Sequence, residues 1–470
     1  MVRDANHSGL PHDAGNHHPV DRFSQLSWYM GSNSLWMAAT SLQALLVTWI
    51  LVGVLQESPE RVGFGQMVIA IPGLVFMLWG GVIGDRMDGR VLLIRVQLLS
   101  AIPPLCLGLV IYADLLGFWL LITCAVGLSV IGAYSAPIMA TILNRIAGRN
   151  LQVAISLSTG LGSLASIAGA KLAGEIEYFG AETILIIQAG IFVIGALLTS
   201  RLHPAPPLGI SQLQTTSTFT TITESSSEIT ESSSEITESS SEIREDSSEI
   251  REGSSEIREG LSEIRESLSE IREGLSEAWH IKTARDVIGL NCFSSFFNAG
   301  AWIVAIPFIV TRVYEGDATF LAKMVMIFTF GALLANFGLL KFMPLLRPGR
   351  LYLIMQLTRI VVLAILWMHP GEYLMFATAC YWGINMGIST TMSRLMVQEI
   401  APASHRSRIM SIFTLGMMSA VPVGAVTLGY IIGQWGPLNA LIPGMLASLV
   451  IFFYGIRQTE IWQYESPISS

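Results

Sequence analysis

Charge is scarce in this sequence. Only 13% of its 470 residues are Asp, Glu, Lys or Arg, about half the ~25% usual in a soluble domain, so water is not the solvent for most of the chain. Cysteine is scarcer still. Cys106, Cys124, Cys292 and Cys380 stand singly inside apolar runs with no C-x-x-C. That excludes a disulfide framework or thiolate metal site and reads as four small buried hydrophobes. No G-x-x-x-x-G-K-[ST] occurs, so no ATP-driven engine is legible. Nor is there room for a soluble catalytic domain. The chain therefore reads as a non-enzyme, with no cofactor, metal or nucleic-acid partner. Finally, no Asp or Glu falls at the centre of an apolar run. A buried proton-accepting carboxylate is therefore missing, and a permanently cationic ligand has nothing to meet it.

What is present is apolar and periodic on the scale of a bilayer. Twelve runs, at 26–53, 63–83, 91–112, 115–138, 152–174, 183–202, 287–311, 321–341, 351–368, 373–394, 407–433 and 438–456, match the roughly 20 residues a helix needs to cross about 30 Å of hydrocarbon. Helices satisfy their own backbone hydrogen bonds there. The expected fold is an all-α membrane protein of 12 transmembrane helices in two six-helix bundles, 26–202 and 287–456. A polar N-terminal tail (1–25), a connector (203–286) and a C-terminal tail (457–470) complete the layout. The first tail holds His7, His12, His17 and His18, but their spacing fits no compact ligand set, and its composition reads as disordered.

The net charge of −8 belongs to the connector: Thr221 to Glu277 holds 17 acids and 5 arginines. Isoleucine recurs every seventh residue there, from Ile222 through Ile271. One apolar residue per heptad makes no seam. From Ile257 onward Leu261, Ile264, Leu268, Ile271 and Leu275 give the alternating spacing of an amphipathic or coiled-coil helix. The expectation is a tolerant, partly disordered or helical linker.

Basic residues set orientation. Arg86 and Arg90, Arg145 and Arg149, then Lys341, Arg347 and Arg350, then Arg394, Arg406 and Arg408 follow runs 2, 4, 8 and 10, while the alternate loops hold little beyond Arg61, Arg312 and Lys323. Both termini and the connector are thus expected in the cytoplasm, in a cell (inner or plasma) membrane. Trp28, Trp49, Trp119, Trp367 and Trp435 stand near run ends, as interfacial anchors do.

The halves echo one another. Gly89-Arg90-Val91-Leu92-Leu93-Ile94 returns as Gly349-Arg350-Leu351-Tyr352-Leu353-Ile354, and Ser156, Gly169 and Gly174 return as Ser411, Gly424 and Gly429. Duplicated six-helix halves place a ligand site between them near the midplane. Polar and aromatic residues of the central helices then become candidate cavity residues: Asn33, Gln43, Tyr134, Asn291, Asn298, Asn336, Tyr381, Trp382 and Asn385. Helix–helix hydrogen bonding is the alternative reading for each. Two further candidates are cations within spans. Lys171 lies near the outer interface beside Glu175, as an ion pair would. Arg359 lies deeper, about 13 Å into the ninth run at 1.5 Å per residue, where snorkelling, structural pairing and a substrate role are the readings.

The segment Gly80-Gly81-Val82-Ile83-Gly84-Asp85-Arg86-Met87-Asp88-Gly89-Arg90 resembles motif A of the major facilitator superfamily. Gly169 to Gly174 is similar to its antiporter motif, with Ala170 in place of proline and Lys171 as an added charge. Ile264 to Leu275 and Gln398 to Ser411 resemble the entries to helices 7 and 11 of the enterobactin- and macrolide-exporter-like branch. The resemblance implies a gating latch of Gly81, Asp85, Arg86, Gly89 and Arg90 that closes the cytoplasmic side. The bland alternative is a turn that only sets topology. It further implies a secondary transporter, expected as a monomer, that exports a small organic molecule (drug, siderophore or similar amphipathic compound), with the proton as a candidate coupling ion. An uptake permease or lipid-related carrier fits the same pattern, and a non-transporting receptor or scaffold signalling through the heptads is the reading from another class.

Overall fold

The structure is a computed structural model that describes residues 19–86, 88–147, 151–203, 276, 279–342, 345–402 and 405–467. The heptad connector lies outside the described residues. Twelve helical rods follow in order: α1 Ser24–Val54, α2 Pro59–Arg86, α3 Gly89–Tyr112, α4 Phe118–Ala147, α5 Leu151–Gly174, α6 Ala181–Thr199, α7 Lys282–Arg312, α8 Ala318–Phe342, α9 Pro348–Trp367, α10 Glu372–Ile400, α11 Arg406–Trp435 and α12 Asn439–Arg457. Ten of them are long and apolar enough to span a bilayer by composition alone. The other two, α2 and α10, have 28 and 29 residues, about 42 Å at 1.5 Å per residue. The all-α, twelve-helix arrangement read from the sequence is the arrangement found.

The duplication is written into the backbone. All six described residues with positive φ pair between halves 255 to 259 positions apart: Gln56 with Glu315, Asp114 with His369, and Gly180 with Gly436. They end α1, α3, α7 and α9 and start α6 and α12. Four are not glycine, and a left-handed non-glycine residue carries strain of order 1 kcal/mol or more. A π-helical turn ends α1 at Ile50–Val54, and another interrupts α7 at Ala301–Ala305. The paired positive-φ residues are the mark of a repeated unit, whereas the π-turns are not equivalent: one ends α1 two residues before Gln56 and the other lies inside α7 ten residues before Glu315.

Glycine packing repeats as well. A methyl on Gly169 of α5 would collide with the Ala38 carbonyl of α1, and one on Gly424 of α11 with the Phe296 carbonyl of α7. These two echoes let the fifth helix of each half press on the backbone of the first, the close approach that small residues provide in lipid. The other echoed pair sits where the bundles meet. Gly174 lies against Ala322 of α8, and Gly429 against Pro59 and Gly63 of α2. The α5–α8 and α2–α11 contacts are the principal joints between halves.

Two ends can be told apart. Gln25 donates to the Arg201 carbonyl and Thr283 to Glu460, so helix ends flanking the connector share one end of each bundle. At the opposite, far end the halves are tied together. Thr319 Oγ1 donates to the Gly174 carbonyl at 2.9 Å and the Ala318 amide to Glu177 at 3.4 Å. The π-turn of α1 also packs on the last turns of α7 there. At the connector end α4 and α10 pack chiefly within their own bundles. The segment after α12 folds back under the C-terminal bundle: Ile461 is fully buried, Tyr464 donates to Glu399 at 3.0 Å, and Ser466 donates to the same carboxylate at 2.7 Å.

Two expectations are corrected. Cys106 is exposed on the apolar outer surface, not buried, and the other three cysteines are half-buried. Trp49 is only 8% exposed, because it is drawn into the bundle beside the π-turn at Gly53. Trp28, Trp119, Trp367 and Trp435 are all at least 36% exposed.

Candidate functional site

Polar side chains that survive inside an apolar bundle must spend their hydrogen bonds on something. In the N-terminal bundle they spend them on helix contacts. Gln97 of α3 donates to Ser32 of α1 at 2.8 Å, Thr199 of α6 donates to Gln97 at 3.0 Å, and Ser32 and Thr199 lie 2.7 Å apart. Asn33 donates to Ser158 of α5 at 3.1 Å. Gln43 accepts from Gln188 of α6 at 2.8 Å. Both candidates are buried ties between helices in this state. Tyr134 is half-buried at the break within α4, its ring 6.3 Å from that of Phe76.

The C-terminal bundle has a different centre. Arg359 does not snorkel; it is 1% exposed. Its position lies about 16 Å along α9 from Pro348 at 1.5 Å per residue, and the side chain turns inward toward α7 and α10. Nε donates to Asn385 Oδ1 at 2.9 Å, Nη1 to Ser294 Oγ at 2.6 Å and Gln356 Oε1 at 3.1 Å, and Nη2 to Ser389 Oγ at 3.1 Å. Asn385 is held in turn by donating to the Met355 carbonyl at 2.6 Å and Thr358 at 2.9 Å. Every partner is neutral, and among the described residues no carboxylate pairs with Arg359. The periodicity of α7 could have pointed here: Asn291, Ser294 and Asn298 recur at three and four residues, one helical face. All three are buried, and Asn298 donates to the Ser294 carbonyl at 2.9 Å. Ser294, Gln356 and Ser389 were not singled out from the sequence, since each looks ordinary without its partner.

The remaining candidates separate. Trp382 is buried, its ring 5.2 Å from that of Trp302, which stacks on Phe328 at 3.8 Å. This aromatic cluster joins α7, α8 and α10 next to the α7 π-turn. Tyr381 is 41% exposed. Asn336 is exposed and accepts from Thr391 at 3.2 Å. Lys171 is exposed at the far end and pairs with Glu175 one turn away. A pair in that setting contributes at most about 1 kcal/mol.

Of the latch residues, the side chains of Asp85 and Arg86 and the surroundings of Gly81 lie outside the described residues; the backbone there is the C-terminal end of α2. Asp88 caps α3 by accepting from the Arg90 amide at 2.9 Å, and Gly89 is buried against Ile138 and Ile142 of α4. The Arg90 guanidinium donates to the Ser200 carbonyl just past the end of α6, where a cation meets the negative end of a helix. Its echo behaves alike: Arg350 donates to the Trp462 carbonyl at 3.1 Å, just past α12. Neither contact crosses between bundles.

Two duplicated six-helix bundles, joined at one end and holding polar centres at mid-depth, define a transporter fold of the major facilitator type. A family model described as Major Facilitator Superfamily matches residues 26–265, and the chain belongs to that superfamily. Solved structures agree in fold. A bacterial homolog of the human lysosomal transporter Spinster, inward-facing and occupied, superposes with a TM-score of 0.65 at 12% identity, covering 94% of this chain and 98% of that one. A POT family transporter in complex with a thioalcohol-conjugated peptide gives 0.63 at 13%, covering 94% and 97%. The nucleoside transporter NupG gives 0.59 at 12%, covering 94% and 99%. The search of curated proteins finds no match.

Proposed function

We propose that this protein is a secondary active transporter that exports a small neutral or anionic amphipathic molecule by alternating access. The connector end faces the cytoplasm, as the excess of basic residues in its loops demands. The observation that carries the reading is the paired joint at the far end. Gly174 on α8 and Gly429 on α2 are equivalent positions of two repeats, so the halves close on each other symmetrically there. A scaffold has no need of such a joint; a rocking pair of bundles does. Cargo class follows from charge: among the described residues Arg359 is buried without a carboxylate partner, and no acid lies at mid-span in the sequence, so a cation is disfavoured in the interior. Asp85 and Arg86 serve as the connector-end latch in the opposite state. The test is flux. The purified protein in proteoliposomes is offered a panel of neutral, anionic and cationic amphipathic solutes, with internal pH followed by a dye. Flux of neutral or anionic solutes above empty vesicles supports the reading, and a solute-dependent pH change assigns the coupling to protons. Flux of cations alone, or none for any solute, rejects it.

A further inference from the structure

We propose that the buried polar cluster around Arg359 is a binding site for a small monovalent anion, supplied as chloride or as a carboxylate group, held between α7, α9 and α10. This goes beyond the transport reading and does not depend on it. Two observations meet at this place. First, Arg359 is a full positive charge buried to 1% exposure, and its four hydrogen bonds all go to neutral oxygens. Neutral acceptors satisfy the N–H groups but leave the charge uncompensated in a low-dielectric interior, which is costly.

Second, buried donors stand idle beside it. Tyr352 Oη, Gln356 Nε2 and Asn291 Nδ2 are buried with no hydrogen-bond partner. Tyr352, Gln356 and Arg359 follow one another at four and three residues along α9, and Asn291 precedes Ser294 by three on α7, so these groups line one facing pair of helix stripes. A buried cation with unpaired donors on its own helix and on α7, the helix that carries its partner Ser294, suits an anion. A cation would meet only repulsion there.

The experiment uses the full chain purified in detergent and unfolded thermally, read by its own tryptophans. Sodium isethionate, a bulky sulfonate, holds ionic strength constant while chloride, bromide or formate replaces isethionate. The expected result is a saturable rise in Tm with at least one of these probes, by mass action. Halide response assigns the occupant to a spherical ion, and response to formate alone assigns it to a carboxylate; either supports the site. Arg359→Met should abolish the response. Because that variant can fail to fold, Tyr352→Phe and Gln356→Met carry the test independently: each removes one donor to a charged group and should weaken apparent affinity roughly tenfold or more. A flat Tm in all three probes means that water fills the site and overturns the proposal. So does a response of equal affinity in the wild type and both of these variants, since the anion then binds elsewhere.

Discussion

Replacing Asn385 by leucine removes the acceptor for Arg359 Nε and leaves a buried, charged donor with no partner. A hydrogen bond to a charged group contributes about 1.5–3 kcal/mol, and abandoning one side of a buried charged pair costs about 3–5 kcal/mol. Three of the four guanidinium bonds survive, on Ser294, Gln356 and Ser389, so the lower range applies: about 3 kcal/mol for Asn385→Leu. Arg359→Met takes away the charge. The orphaned hydroxyls of Ser294 and Ser389 can rotate onto carbonyls of their own helices, as Ser and Thr side chains do elsewhere in this bundle, while the buried Gln356 and Asn385 amide oxygens lose their donor, so we expect about 2–3 kcal/mol. With the charge gone, Asn385→Leu loses only its bonds to Met355 and Thr358, about 1 kcal/mol. The double variant should then be more stable than the sum of the single losses by about 2 kcal/mol. Unfolding of the purified variants in a mixed-micelle denaturant titration measures this coupling. Additivity within about 0.5 kcal/mol would show that Arg359 does not depend on Asn385, and the reasoning about an uncompensated charge would fail with it.

Other consequences are simpler. Gly174→Leu and Gly429→Leu each place a side chain into a joint where even a methyl meets Ala322 or Pro59; both should keep the far end from closing and lower flux severalfold at normal expression, seen as raised labelling of far-end cysteines by an impermeant maleimide. Asp85→Asn should slow transport while membrane insertion stays intact, measured as flux per inserted protein; a normal rate would leave the α2–α3 turn as a topology signal only. Lys171→Gln should change stability by less than about 1 kcal/mol, because its pair with Glu175 is exposed; a larger loss in thermal unfolding would give that pair a structural role the geometry does not suggest.

The helices were legible because lipid imposes one rule, a long apolar run, and the duplication was legible because glycine at a helix crossing leaves a fixed mark. Gly169 and Gly424 could be matched by sequence, and their use, pressing α5 on Ala38 and α11 on Phe296, explains why both are glycine. The site was less legible. Asn33, Gln43 and Asn385 were visible as polar residues in apolar runs, but whether such a group faces a crevice or a neighbouring helix depends on rotation about the helix axis, which an apolar run with weak periodicity does not specify. Arg359 shows the same limit. Its depth could be counted along α9, but its inward turn depends on Ser294 and Asn385, 65 and 26 residues away. The π-turns in α1 and α7 leave no sequence signal, since one extra residue in a turn of apolar helix changes neither composition nor length.

The rocking of two bundles about a shared centre is tested most directly by distance measurement across both ends at once. With the four native cysteines replaced, one spin-label pair at Asp114→Cys and Tyr373→Cys reports the far end, and a second at Arg201→Cys and Gln458→Cys reports the connector end; all four positions are exposed. Double electron–electron resonance in lipid nanodiscs, with and without a transported solute, should show two populations at each end whose weights move in opposition. A single distribution at both ends, unmoved by any solute that the protein carries, would contradict the account.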